Sequence, residues 1–140
     1  MDKYSNVLNK VLTDFQFIEE CLKMYITYTD KIIQINVSSY FPYKYNRKDV
    51  ENFALGKLTD KYSKISNNTS LVKELQAVMK QRNDLAHKGF LLTIEEQKNK
   101  KLLESLTTNL EQLHIKTKKI LFVLSKETSD LEEHLTKCSN

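Results

Sequence analysis

The chain has 140 residues but only 2 glycines and 1 proline, against about 10 and 7 in an average protein of that length. Turn-rich sandwiches, barrels and Rossmann folds are therefore excluded and a mostly helical chain is expected; the glycines, Gly56 and Gly89, are also too far apart for a phosphate-cradling glycine loop. The net charge of +4 is spread over both halves, so it permits RNA binding without marking a basic domain, and 40% apolar with 29% charged residues suits one globular domain over residues 1–140.

The first helix is expected from Tyr4 to Ile35. Leu8, Val11, Phe15, Ile18, Leu22 and Ile26 recur at spacings of three and four and draw one apolar stripe. The only proline, Pro42, lies in the following aromatic stretch, Tyr40 to Lys48, which reads as a loop covering one end of the bundle. A second helix is expected from Asp49 to Ile65, with Gly56 inside it excused by a close helix–helix approach. The third runs from Leu71 to His87, capped by Thr69 or Ser70 and ended by Gly89. The fourth starts at a capping box, Thr93 with Glu96, and reaches about Lys137 without glycine or proline. Its segment Glu127-Thr128-Ser129-Asp130 could cap a short separate helix at the C-terminus. The expected fold is all-α: an up-and-down antiparallel bundle of four long helices, with room for a short fifth.

One residue on the third helix breaks the pattern. At 100° per residue, Arg82 falls among Leu71, Leu75, Val78 and Met79, in the middle of the apolar face. A guanidinium there needs a partner or a polar cavity. An ion pair with Asp84 or Glu74 would satisfy it, and His87 would then help to cap the helix. On an ideal helix His87 lies about 140° round from Arg82. The two heads converge if the last turn unwinds, or if a second copy of the helix faces this one across a two-fold axis.

The string Arg82-Asn83-Asp84-Leu85-Ala86-His87 closes that helix, and Lys88-Gly89-Phe90 follows. It resembles the R-x4-6-H signature of the HEPN superfamily, whose members often carry a polar residue just after the arginine. The resemblance covers most of the chain as architecture and six residues as a sharp motif. It implies a metal-independent endoribonuclease acting as a homodimer, with Arg82 and His87 of both protomers in a composite catalytic site. It further implies a toxin of a toxin–antitoxin pair or an antiphage defence effector. A small nucleotidyltransferase is the antitoxin of one HEPN branch, whose motif places a tyrosine two residues after the histidine; here Gly89 stands at that place. Other HEPN domains are non-catalytic, and a nucleotide-binding, RNA-binding or helical interaction module is the alternative.

The residue chemistry agrees with cleavage through the 2′-hydroxyl. Such a reaction needs a group that moves a proton near neutral pH, which suits His87, and fixed positive charge at the phosphorane, which suits Arg82. Asn83 and Asp84 are supporting candidates, for orienting the phosphate or the imidazole. Lys88, Arg47 and Lys48 are candidate RNA contacts. No cofactor is implied, and His87, His114 and His134 share no metal-ligand spacing. His114 and His134 read as surface helix residues, and the adjacent pair Glu19-Glu20 as solvated. Cys21 reads as a core filler. With Cys138 it forms no CxxC, which suits a reduced, cytoplasmic chain. The polar N-terminal stretch has no signal-peptide core, and the longest apolar run, Ile120 to Leu124, is too short to span a bilayer, so no membrane partner is expected.

Overall fold

The structure, a computed structural model, describes residues 2–88, 96 and 98–139, with the backbone alone at 2, 86–88 and 139. Five helices are described: α1 (Asp2–Val37), α2 (Arg47–Glu51), α3 (Leu55–Ile65), α4 (Thr69–Lys88) and α5 (Lys100–Ser139). The fold is an all-α bundle, as the shortage of glycine and proline implies, and no strand occurs among the described residues.

The core is built around α1 and α5, of 36 and 40 residues. Tyr4, Val11 and Ile18 recur every seven residues on α1, as do Leu8, Phe15 and Leu22. On α5 the matching series are Leu110, Thr117 and Leu124, with Leu113 and Ile120 between them. All are buried, which is the seam that a heptad pattern makes between two long helices. Cross-helix contacts fix the direction. Lys3 pairs with Glu111 at 3.3 Å, Asp14 meets His114 and Thr117, and Cys21 Sγ lies 3.7 Å from Ser125 Oγ. The numbers rise together, so α1 and α5 run parallel.

Segment 38–54 supplies a descending leg after α1. Tyr43 donates its hydroxyl to Asp30 Oδ1 (2.8 Å), and its carbonyl accepts from Gln34 Nε2 (3.2 Å). Further on, α2 lies level with Glu20 to Thr27. α3 then rises, and α4 descends from Asn68, which touches Glu127, to Arg82, which touches Glu19. The up-and-down alternation thus runs through α1, the return segment, α3, α4 and α5. The half-buried Tyr43 and Tyr45 cover the end of α1, whereas Tyr40 and Phe41 face solvent.

The helix expected from Asp49 to Ile65 is two helices. Asn46 caps α2 by accepting from the Lys48 N–H at 3.0 Å, and the chain straightens at Ala54 (φ −72, ψ 164) before α3 begins. On one continuous helix Val50 and Leu55 would lie about 140° apart. The break lets both be buried, at 3% and 1% exposure. Gly56 therefore sits in the first turn of α3. The close approach holds, because a Cβ there would meet Met79 Sδ at 3.1 Å.

The caps also differ from expectation. α4 starts at Thr69, and its cap is Asn68, whose Oδ1 accepts from the Leu71 N–H at 3.0 Å. Thr93 and Gly89 lie outside the described residues, so the proposed capping box and helix stop do too; Asn99 caps α5 through the Leu102 N–H at 3.1 Å. No break occurs at 125–129. The residues that could have capped a new helix are engaged in packing. Thr128 is buried and returns its hydroxyl to the Leu124 carbonyl, while Glu127 accepts from Tyr62 Oη and from Asn68 Nδ2.

Buried and half-buried tyrosines are expected to make the bundle alkali-sensitive. Burial raises the hydroxyls of Tyr4, Tyr25, Tyr45 and Tyr62 above their ordinary value, and the bond to Asp30 does most to raise that of Tyr43. The unfolded chain therefore releases these protons first. Stability contributed by the neutral forms is intact below about pH 10 and is lost as pH climbs toward the folded values. The melting temperature is expected to fall between about pH 10 and pH 12, less steeply in Tyr62→Phe, as followed by circular dichroism. An unchanged melting temperature across that range would contradict this.

Candidate functional site

Leu71, Leu75 and Val78 are buried, and Arg82 takes the next place in their four-three-four spacing. Its side chain is 37% exposed. Its partner is neither Asp84 nor Glu74. Arg82 Nη2 lies 3.4 Å from Glu19 Oε1, and the Glu19 side chain is 21% exposed. Glu19 is thus half-buried rather than freely solvated, and it anchors one edge of the guanidinium against α1. A fork with several N–H donors keeps others free for an oxyanion.

Asn83 and Asp84 are exposed on α4, away from the core. His87 and Lys88 belong to the last turn of α4, and their side chains lie outside the described residues. The backbone stays helical through Lys88, so α4 does not unwind within the motif. On one α4, the Arg82 and His87 positions keep the separation of about 140° that an ideal helix gives.

The loop candidates Arg47 and Lys48 lie on α2. Arg47 Nε pairs with Glu51 Oε1 at 3.7 Å on the surface of α2, and Lys48 is exposed. Arg47 lines a cavity of about 220 Å³ with Glu20, Lys23, Met24, Thr27 and Val50. Glu20 directly follows Glu19, the partner of Arg82. Arg82 thus meets α1 at Glu19, and Arg47 lies beside the following stretch, Glu20 to Thr27.

A second constellation was not anticipated. His114 is not a free surface residue. Its Nδ1 lies 2.6 Å from Asp14 Oδ2, and Thr117 Oγ1 donates to the same oxygen at 2.8 Å. Asp14 is only 4% exposed. A carboxylate can only accept, so Nδ1 carries the proton and the tautomer leaves Nε2 as the free ring nitrogen. The one available sequence signal was an acid at a seam position, Asp14 between Val11 and Ile18.

Among the described residues, no three His, Cys, Asp or Glu side chains cluster to hold a metal, and no helix is long and apolar enough to cross a membrane. Cys21 is half-buried beside Ser125, as a packing residue would be. No family model, curated protein or solved structure matches the chain.

Proposed function

We propose that the chain is a HEPN-type endoribonuclease, working as a homodimer without a metal and serving as the toxin of a toxin–antitoxin pair or as a defence effector. The observation that carries this reading is the string Arg82-Asn83-Asp84-Leu85-Ala86-His87 on the last two turns of α4, with a half-exposed guanidinium held by Glu19. His87 moves the 2′-hydroxyl proton, and Arg82 neutralises the charge that grows on the phosphorane. Asn83 and Asp84 orient the phosphate or the imidazole, and Lys88, Arg47 and Lys48 hold the flanking RNA backbone. Because α4 stays helical through Lys88, the Arg82 and His87 positions lie about 140° apart around it, and a second protomer would complete the composite site. A small nucleotidyltransferase is the candidate antitoxin, and the cytoplasm the expected compartment.

The test is incubation of the pure protein with total RNA, with and without EDTA. Cleavage that survives EDTA and is lost in Arg82→Ala and His87→Ala supports the proposal; cleavage unchanged in both variants overturns it. Light scattering at micromolar concentration is expected to give a dimer. A monomer would remove the composite site.

The ion pair with Glu19 favours a second reading, a non-catalytic nucleotide-binding, RNA-binding or interaction module in which Arg82 is structural. That reading expects no cleavage, together with a rise in melting temperature on ligand binding.

A further inference from the structure

The Asp14–His114 pair stands beside a groove of about 410 Å³ between α1 and α5, a volume within the range of small-ligand sites. The groove is lined by Asn9, Lys10, Phe17, His114 and Lys118, among others. It is separate from Arg82. At 100° per residue, Asn9, Lys10, Asp14 and Phe17 occupy an arc of about 140° on one flank of α1, while Glu19, which holds Arg82, lies about 140° beyond Asp14 on the other.

Each lining group has a recognisable use. Neither the Lys10 nor the Lys118 ammonium has an ion-pair partner among the described residues, and both are exposed. Two such cations on facing helices make a cradle for a doubly charged oxyanion. Asp14, itself buried, commits His114 Nδ1, so the imidazole is held in one orientation with Nε2 free. In that tautomer Nε2 is an acceptor on the groove's wall, open to a ligand hydroxyl. Phe17 is 55% exposed in the middle of a long helix. It offers a rigid aromatic face of the kind on which bases stack. The Asn9 amide brings a donor and an acceptor to the same side.

We propose that this groove binds a nucleotide unit, its phosphate between Lys10 and Lys118 and beside His114, its base on Phe17. The two cations select a phosphate, and the exposed ring selects a base attached to it. A free mononucleotide and one residue of an RNA strand share this chemistry. The site does not depend on the Arg82 reading and would stand if that reading failed.

The experiment is an NMR titration of the full chain with adenosine 5′-monophosphate, with inorganic phosphate and with adenosine. The monophosphate is expected to shift the His114 and Phe17 ring resonances saturably in the millimolar range or below, whereas phosphate alone shifts His114 only. Lys10→Glu combined with Lys118→Glu should weaken the monophosphate at least about tenfold, or about 1.4 kcal/mol. Phe17→Ala should reduce its affinity to that of phosphate, and Arg82→Ala should leave it unchanged. Lys118→Gln alone carries the same test should the double reversal unfold the chain. A six-nucleotide oligoadenylate that binds more than about tenfold tighter than the monophosphate assigns the groove to an RNA strand; equal affinities assign it to the free nucleotide. No saturable shift with the monophosphate, or a shift that persists with both lysines reversed, overturns the proposal.

Discussion

Alanine at His87 is expected to lower RNA cleavage by about 10²- to 10⁴-fold, the usual worth of a positioned proton-transfer group. Alanine at Arg82 is expected to cost about 10²- to 10³-fold, as removal of one oxyanion donor does. The two variants differ in what else they disturb. Arg82→Ala breaks the contact with Glu19, but that pair is partly solvated and contributes at most about 1 kcal/mol after screening. The fold should therefore survive, and a loss of cleavage reads as chemistry. Glu19→Gln is the informative control. It removes the same ion pair and leaves the guanidinium in place. Cleavage retained in Glu19→Gln and lost in Arg82→Ala assigns Arg82 to the reaction. Cleavage lost equally in both assigns it to positioning the helices. Arg82→Lys should recover only part of the rate, because an ammonium keeps the charge but not the planar fork. If Arg82 is purely structural, Arg82→Leu should raise the melting temperature, since an apolar side chain then continues the stripe of Leu71, Leu75 and Val78.

The parts of this architecture that follow from periodicity were legible in the sequence. The α1 stripe could be read from Leu8 to Ile26 because heptad spacing depends only on neighbours along one helix. α1 and α4 each extend two residues earlier than expected, since ends depend on caps, and Asn68 rather than Thr69 or Ser70 won the cap of α4. The break at 52–54 was hidden because Phe53 and Ala54 suit a helix locally; only the need to bury both Val50 and Leu55 against the rest of the bundle reveals it. The continuity of α5 through Thr128 was hidden for the converse reason. Thr128 and Glu127 carry capping chemistry, but α3 and the α3–α4 turn use Glu127, and the core uses Thr128. Arg82 was legible as an anomaly, and its partner was not. Glu19 is 63 positions away, and nothing in the spacing along α4 points to it. The same holds for Asp14 and His114, 100 residues apart, whose pairing depends on the parallel register of α1 and α5.

That register meets α3 at Tyr62, where the largest expected loss of stability lies. Tyr62 has no exposed surface. Its ring packs edge-on against Tyr25 of α1, with centroids 5.0 Å apart and planes at 70°. Its hydroxyl donates to Glu127 of α5, whose other carboxylate oxygen accepts from Asn68 at the start of α4 at 2.6 Å. One side chain of α3 thus touches α1 and α5 directly and reaches the cap of α4 through Glu127. Tyr62→Ala removes a large buried ring and leaves a cavity, at a cost of about 3–5 kcal/mol, typical for a buried aromatic. Tyr62→Phe keeps the ring and loses only the hydroxyl. Its cost should be about 1–2 kcal/mol, because Glu127 is half-buried, retains Asn68 and has access to water. Denaturant unfolding of both variants measures the two contributions separately. Equal losses would mean that the hydroxyl network, not the packed ring, holds α3 against the parallel pair. A loss below about 1 kcal/mol in Tyr62→Ala would mean that the core closes around the missing ring, and that α3 is only loosely held to α1 and α5.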